Sequence, residues 1–152
     1  RRDIEGIAAG RAARVGSATD HAVIDATFAK MKAAHATKDP GLEAALDAEF
    51  HMSILDASHN IILLHMMRSM FDLTREGVLY NRQSMFQQPD TRTALLSQHE
   101  AIRDAILGRD APAARRAVED HLDFVEDCLR AHMKALRNEE VARQRLEHQS
   151  GQ

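Results

Sequence analysis

An all-α fold, an antiparallel bundle of helices, is predicted by three features of the sequence. Apolar residues recur at i, i+3, i+4 and i+7 in one segment after another, the period of an amphipathic helix. Glycine and proline are scarce, at 7 and 3 residues, and the prolines stand where those segments begin or end. No strand-like alternation, hairpin dipeptide or internal repeat interrupts the pattern.

The first helix runs from about Arg1 to Val15, with Ile4, Ile7, Ala8, Ala12 and Val15 on its apolar face, and stops near Gly16-Ser17. The second, about Thr19 to Ala36, places Ile24, Phe28 and Met31 at i, i+4 and i+7. Asp39 then offers an N-cap oxygen and Pro40 the first helical position, where a missing N–H costs nothing. That third helix carries Leu42, Leu46, Phe50, Ile54 and Leu55 and ends around Ser58-His59-Asn60. The fourth is long, roughly Ile61 to Met85; Gly77 weakens its interior and Pro89-Asp90 stops it. A fifth, about Thr91 to Leu107, ends at Gly108 in the left-handed stop position. Asp110 caps a sixth over about Ala111 to Leu136, with Ala114, Val118, Leu122, Val125, Leu129 and Met133 inward. Beyond it, Arg137 to Gln152 is charged, lacks a continuous apolar stripe, and reads as a frayed helix or disordered tail. Short connections between long helices make sequential neighbours antiparallel.

At 152 residues the chain holds one domain's worth of core without needing disulfides. Its 44% hydrophobic and 28% charged residues, at net charge −3, give a mixed-sign surface and no clustered basic face of the kind that grips nucleic acid. No apolar run approaches the roughly 18–20 residues of a membrane span, and the opening Arg1-Arg2-Asp3-Ile4-Glu5 is no signal peptide. The single Cys128 excludes an internal disulfide framework and fits a reducing, cytoplasmic location. The first methionine is Met31, which predicts that the chain is cut from something longer.

The chemistry lies in the 9 histidines. His21, His132 and His148 fall on or near polar faces, and His35, His59 and His65 at helix ends or beside loops. Three behave differently. His99 shares the apolar stripe of Leu95, Ile102 and Ile106; His121 shares that of Val118 and Val125; His51 adjoins Phe50 and precedes Ile54 and Leu55. Asp47 sits one turn before His51 on the same face, flanked by Leu46 and Phe50, where a carboxylate belongs only if something offsets its desolvation. Neutral imidazoles with a carboxylate suit a borderline divalent ion, and bundle cores build such sites from facing helices. A single core histidine is more often a hydrogen-bonded structural residue. Spacing alone leaves both readings open, because one sequence does not prove that three helices converge.

Four segments carry a resemblance: Asp47-Ala-Glu-Phe-His51, Ala57-Ser-His-Asn60, Gln98-His-Glu-Ala-Ile102-Arg-Asp-Ala-Ile106 and Ala117-Val-Glu-Asp-His121-Leu122. Together with Arg1-Arg-Asp-Ile-Glu5-Gly and Ala12-Ala-Arg they resemble the C-terminal effector domain, called FCD, of GntR-type bacterial transcription regulators of the FadR subfamily. The likeness spans about residues 1 to 136. Asn60-Ile-Ile-Leu-Leu-His65 and Tyr80-Asn-Arg82-x2-Met85 are most similar to members responding to pyruvate, lactate or glycolate. The resemblance implies a bundle of six or seven antiparallel helices with an internal cavity. It implies a divalent metal, zinc with nickel or manganese as alternatives, held by Asp47, His51, His99 and His121. It also implies a small carboxylate effector in that cavity, with Arg1 as a contact, and a homodimer; Asn81, four residues beyond Gly77 on one face of the fourth helix, is a further candidate donor to that ligand if the face lines the cavity. DNA would be bound only through an N-terminal winged-helix domain of roughly 70 residues that this chain does not contain.

Two rival functions remain at this level: a structural dimerisation bundle whose histidines bind nothing, and a helical metalloenzyme using open positions on the same ion. Against an enzyme stand the missing Glu-x-x-His pairs and the lack of a nucleophile or dedicated base beside the ligands. Met66, Met67 and Met70 read as core filler, and Cys128 as a buried small hydrophobe. Arg68, Arg75 and Arg82 are spaced along the fourth helix, where they could meet an anion.

Overall fold

A computed structural model describes residues 1–150, and the side chains of residues 1–71 and 82–149. Six helices follow one another: α1 (Arg2–Val15), α2 (Ala18–Thr37), α3 (Pro40–Ala57), α4 (Ile61–Phe86), α5 (Pro89–Leu107) and α6 (Ala111–Ser150). No strand occurs among the described residues, and the bundle is antiparallel as its period and short connections predict. Among the described residues, no helix is long and apolar enough to cross a membrane.

The main core is drawn from five helices: Ala9, Ala12 and Ala13 of α1, Ile24 and Phe28 of α2, Phe50 and Ile54 of α3, Ile102 and Ile106 of α5, and Val118 and Leu122 of α6. Helix α1 is in contact with α3, α4, α5 and α6. Its buried face is almost all alanine and glycine, which lets neighbouring backbones come close. At Gly6 an added Cβ would stand 3.0 Å from Glu119 Oε1 on α6.

The helix boundaries are set by local chemistry. Ser17 and Asp20 form a reciprocal capping box at the start of α2. Asp39 accepts from the Leu42 amide and Pro40 opens α3, as the sequence predicts. Pro89 does more than stop α4: it occupies the first turn of α5, which starts two residues earlier than expected. The expected left-handed stop at Gly108 is not there. Gly108 is right-handed (φ −72°), and the positive φ falls on Arg109 (57°). Lys38, also at positive φ (55°), ends α2. Beyond Leu136 the chain continues as helix to Ser150, with every described side chain from Met133 on exposed. Local propensity and the Glu140–Arg143 and Glu140–Gln144 pairs support that helix, so no apolar stripe is needed.

Candidate metal and effector site

The site is assembled by five helices. The i,i+4 spacing puts Asp47 and His51 on one face of α3, where Phe50 and Ile54 anchor the helix in the core. Packing of Leu95, Ile102 and Ile106 turns His99 of α5 inward, and packing of Val118 and Leu122 does the same for His121 of α6. Helix α1 contributes Glu5 from within its alanine face, and the C-terminal part of α4 contributes Arg82 beside Met85 and Phe86. All of these are buried; the four residues expected as ligands are 0–4% exposed.

One atom from each of Asp47, His51, His99 and His121 lies within 4.8 Å of the others. His99 Nε2 is 3.1 Å from Asp47 Oδ1, His51 Nε2 is 3.8 Å from the same oxygen, and the two imidazole nitrogens are 3.4 Å apart. Donors about 2.0–2.1 Å from a common ion stand about 3.0–3.4 Å from one another in octahedral or tetrahedral arrangement. Two of these separations, 3.1 and 3.4 Å, fall within that range and the third, 3.8 Å, exceeds it, so small side-chain shifts would let the donor set hold one borderline divalent ion. The rings are packed against each other, with His51 and His121 stacked at 5.2 Å between centroids and Phe50 edge-on to His99 at 5.2 Å. That packing leaves them little freedom to turn away.

Charges are nearly balanced in the cluster. Arg82 Nε lies 2.6 Å from Asp47 Oδ2, and Arg1 Nε donates to Glu5 Oε1 at 2.7 Å. Burial alone would raise the Asp47 carboxyl; Arg82, His99 and His51 outweigh it and hold the group well below its ordinary value. Burial likewise opposes ionisation of Glu5, and His51 with Arg1 keeps it ionised. The His121 imidazole is pushed well below its ordinary value by burial and by the neighbouring His99 and His51, which keeps it in the neutral form that ligates metals. Three buried side-chain atoms lack an aligned hydrogen-bond partner among the described residues: Glu5 Oε2, Arg82 Nη2 and His99 Nδ1. All three belong to this cluster. Native interiors rarely leave such groups unmatched without a ligand or functional reason.

A cavity of about 60 Å³ opens beside it. Its polar end is formed by Arg1, Asp47, Arg82 and His121, and Phe86, Leu95 and Leu129 supply an apolar wall. That space holds roughly four or five water-sized spheres, room for a molecule of a few heavy atoms and none for a long acyl chain. Arg1, expected as an effector contact, is therefore at the cavity. Asn81, together with Gly77 and Arg75, lies outside the residues whose side chains are described.

Several side chains depart from the sequence reading. His21 is buried rather than on a polar face, its Nε2 2.9 Å from the Ala12 carbonyl. Met67 is fully buried, whereas Met66 is exposed. Cys128 is only partly buried. Arg68 pairs with Asp56 at the surface. Glu5, Gln98 and the pairing of Arg82 with Asp47 escaped sequence reasoning, although Arg82 was among the arginines expected to meet an anion. Signals existed: Glu5 precedes Ala8, Ala9 and Ala12 at i+3, i+4 and i+7, and Arg82 precedes Met85 and Phe86 at i+3 and i+4. Each is a charge placed on an apolar stripe.

Comparison with known proteins places this geometry in context. The FCD domain family model matches residues 1–124. The chain is 40% identical over 94 residues to the "Putative L-lactate dehydrogenase operon regulatory protein" of Escherichia coli (strain K12), a match covering 62% of this chain and 36% of that protein. It is 34% identical over 126 residues to the "Glc operon transcriptional activator" of the same organism, covering 81% of this chain and 50% of that one. The chain thus spans half or less of the length of these relatives. The solved structure of E. coli McbR/YncC has a similar fold, with a TM-score of 0.75 at 17% identity over 87% of this chain and 65% of that chain.

Proposed function

We propose a sensing function for this chain, which belongs to the FCD domain family, the regulatory effector module of GntR-type transcription regulators. It binds one divalent metal ion through Asp47, His51, His99 and His121, zinc being the first candidate and nickel or manganese the alternatives. A small 2-hydroxy or 2-oxo carboxylate occupies the adjoining cavity. The observation that carries this reading is the convergence of four buried donors from three helices on one point. A loaded ion would act as a Lewis acid with positions left open to an anionic ligand.

The chain's own residues supply the rest. The charges of Asp47 and Glu5 are matched by Arg82 and Arg1, and imidazoles that ligate a metal do so in the neutral form, so a bound divalent ion would leave the pocket with an excess of positive charge. That excess favours an anion. Arg82 Nη2, buried and unmatched, is a donor for a carboxylate oxygen, and Arg1 stands at the same cavity. Phe86, Leu95 and Leu129 supply an apolar wall on the other side, and a low-polarity surrounding strengthens each polar contact within. The size of the space favours a short acid. The functions named for the lactate and Glc operon relatives are consistent with such a ligand.

In the whole protein this module would control a DNA-binding domain located elsewhere in the chain, and would pair with a second copy of itself in the cytoplasm. Exposed Ile61, Ile62 and Met66 on α4 and Met133 and Leu136 on α6 are apolar surfaces available for pairing. Calorimetry on zinc-loaded protein tests the ligand reading. Lactate should bind more tightly than propionate, which lacks the second oxygen donor, and chelation or His121→Ala should weaken binding. Equal affinity for the two acids, or binding unchanged by chelation, would overturn it. Sedimentation at micromolar concentration giving the mass of a single chain would overturn the homodimer.

A further inference from the structure

We infer that Glu5 and Gln98, which do not themselves reach the ligand point, fix which nitrogen His51 and His121 offer to the metal, and that Glu5 is the stronger of these two positioning residues. The inference rests on the metal reading above and extends it from the ligands to the groups behind them.

A neutral imidazole carries one proton on two nitrogens, and the partner of the outer nitrogen decides which is free to ligate. Behind His51, Nδ1 is in close contact with Glu5 Oε2 at 2.6 Å, a contact set by distance and charge rather than by an aligned hydrogen bond. An ionised carboxylate has no proton to give, and a bare ring nitrogen at that distance would be repelled by it. The proton therefore sits on Nδ1, leaving the Nε2 lone pair aimed at Asp47 and His99. Arg1 Nε binds the other oxygen of Glu5 at 2.7 Å, so the carboxylate is held from both sides. Behind His121, Nδ1 is 2.9 Å from Gln98 Oε1. A carbonyl also accepts only, which again places the proton outward. Behind His99, Nδ1 has no hydrogen-bond partner among the described residues.

The three imidazoles are thus backed by an anion, a neutral amide and, among the described residues, nothing. An anionic partner raises the donor strength of the ring most, and outer partners of this kind commonly account for about 10- to 100-fold in metal affinity. Glu5→Gln keeps the volume but leaves one acceptor oxygen. The guanidinium of Arg1 takes it, the amide NH2 faces His51 Nδ1, and the ring proton is driven to Nε2, the wrong side for ligation.

The test measures zinc affinity on the 152-residue chain by competition with a chromophoric chelator, approached from both loaded and metal-free protein. Glu5→Gln should weaken binding by about 10- to 100-fold, and Gln98→Ala by less. Long-range 1H–15N spectra of the metal-free protein give a second readout: His51 should carry its proton on Nδ1 in the wild type and on Nε2 in Glu5→Gln. Wild-type protein that holds no zinc would overturn the metal reading and this inference together. Zinc bound equally well by wild type and Glu5→Gln would overturn the inference alone. Should Glu5→Gln not fold, the wild-type spectrum decides, since Nε2–H on His51 contradicts the inference and Nδ1–H supports it.

Discussion

Replacing Asp47 by Asn preserves volume while removing the charge that balances Arg82. The two groups are 2.6 Å apart with side chains 6% and 9% exposed, so water cannot take over the role of either. Breaking a buried pair from one side costs about 3–5 kcal/mol, because the surviving ion stays desolvated and uncompensated. At about 2–4 °C per kcal/mol for a domain of this size, Tm should fall by roughly 6–20 °C. Adding Arg82→Met to Asp47→Asn removes both charges and should recover most of the loss, since an apolar pair tolerates a dry site. Chemical denaturation of metal-free protein at pH 7, with chelator present, reads both variants. The pH dependence has a definite sign. The folded carboxyl titrates below the unfolded value of about 3.9, so its contribution is complete above that value and fades as pH falls through the folded one. The gap between wild type and Asp47→Asn should therefore stay flat from pH 7 to about 5 and narrow only in acid. A single variant within about 1 kcal/mol of wild type, the scale of an exposed pair, would refute the argument. So would a double variant less stable than the single one.

His121, held neutral by burial and by His99 and His51, takes up a proton in the unfolded chain near pH 6.5 but not in the folded one. Metal-free stability should drop as pH falls below that value by up to about 1.4 kcal/mol per pH unit, and His121→Gln should flatten the slope in urea titrations. Phe50→Ala removes a fully buried ring that braces His51 and His99; a loss of about 3–5 kcal/mol is expected, accompanied by weaker zinc binding in the same competition assay. Lys38→Gly relieves a side chain held at φ 55° and should stabilise the fold by up to about 1 kcal/mol, read as a higher urea midpoint with unchanged m. Ser17→Ala removes the capping oxygen of α2 and should cost about 1 kcal/mol by the same measurement.

The candidate donor set was legible because its members break a local rule. Asp47 between Leu46 and Phe50, and His99 and His121 on apolar stripes, are polar groups where burial is costly, and a misplaced polar residue can be seen without a structure. Their convergence could not be seen, since contacts between α3, α5 and α6 depend on how whole helices pack. Glu5 and Arg82 obey the same logic, yet one lies among alanines too small to mark a strong stripe, and the other lies near the end of a long helix of mixed character. The left-handed stops at Lys38 and Arg109 went against residue preference, because the chain's path at those corners set φ. The helical reach of α6 to Ser150 reflects local pairing and propensity, to which a search for apolar periodicity is blind.

The near-complete burial of Asp47, His51, His99 and His121 has a kinetic consequence. An ion seated among them would have to give up donors held by three helices before it could leave, so its departure would wait on a separation of α3, α5 and α6 rather than on access through the cavity alone. Such partial openings are rare events governed by local stability. The exit rate should then saturate with chelator concentration at the opening rate, and mutations that loosen helix packing should accelerate it without touching a ligand. A population loaded once would stay loaded through brief shortages of free metal. On that timescale the ion would be a fixed part of the proposed sensor, and the small acid proposed for the cavity would be the quantity that varies.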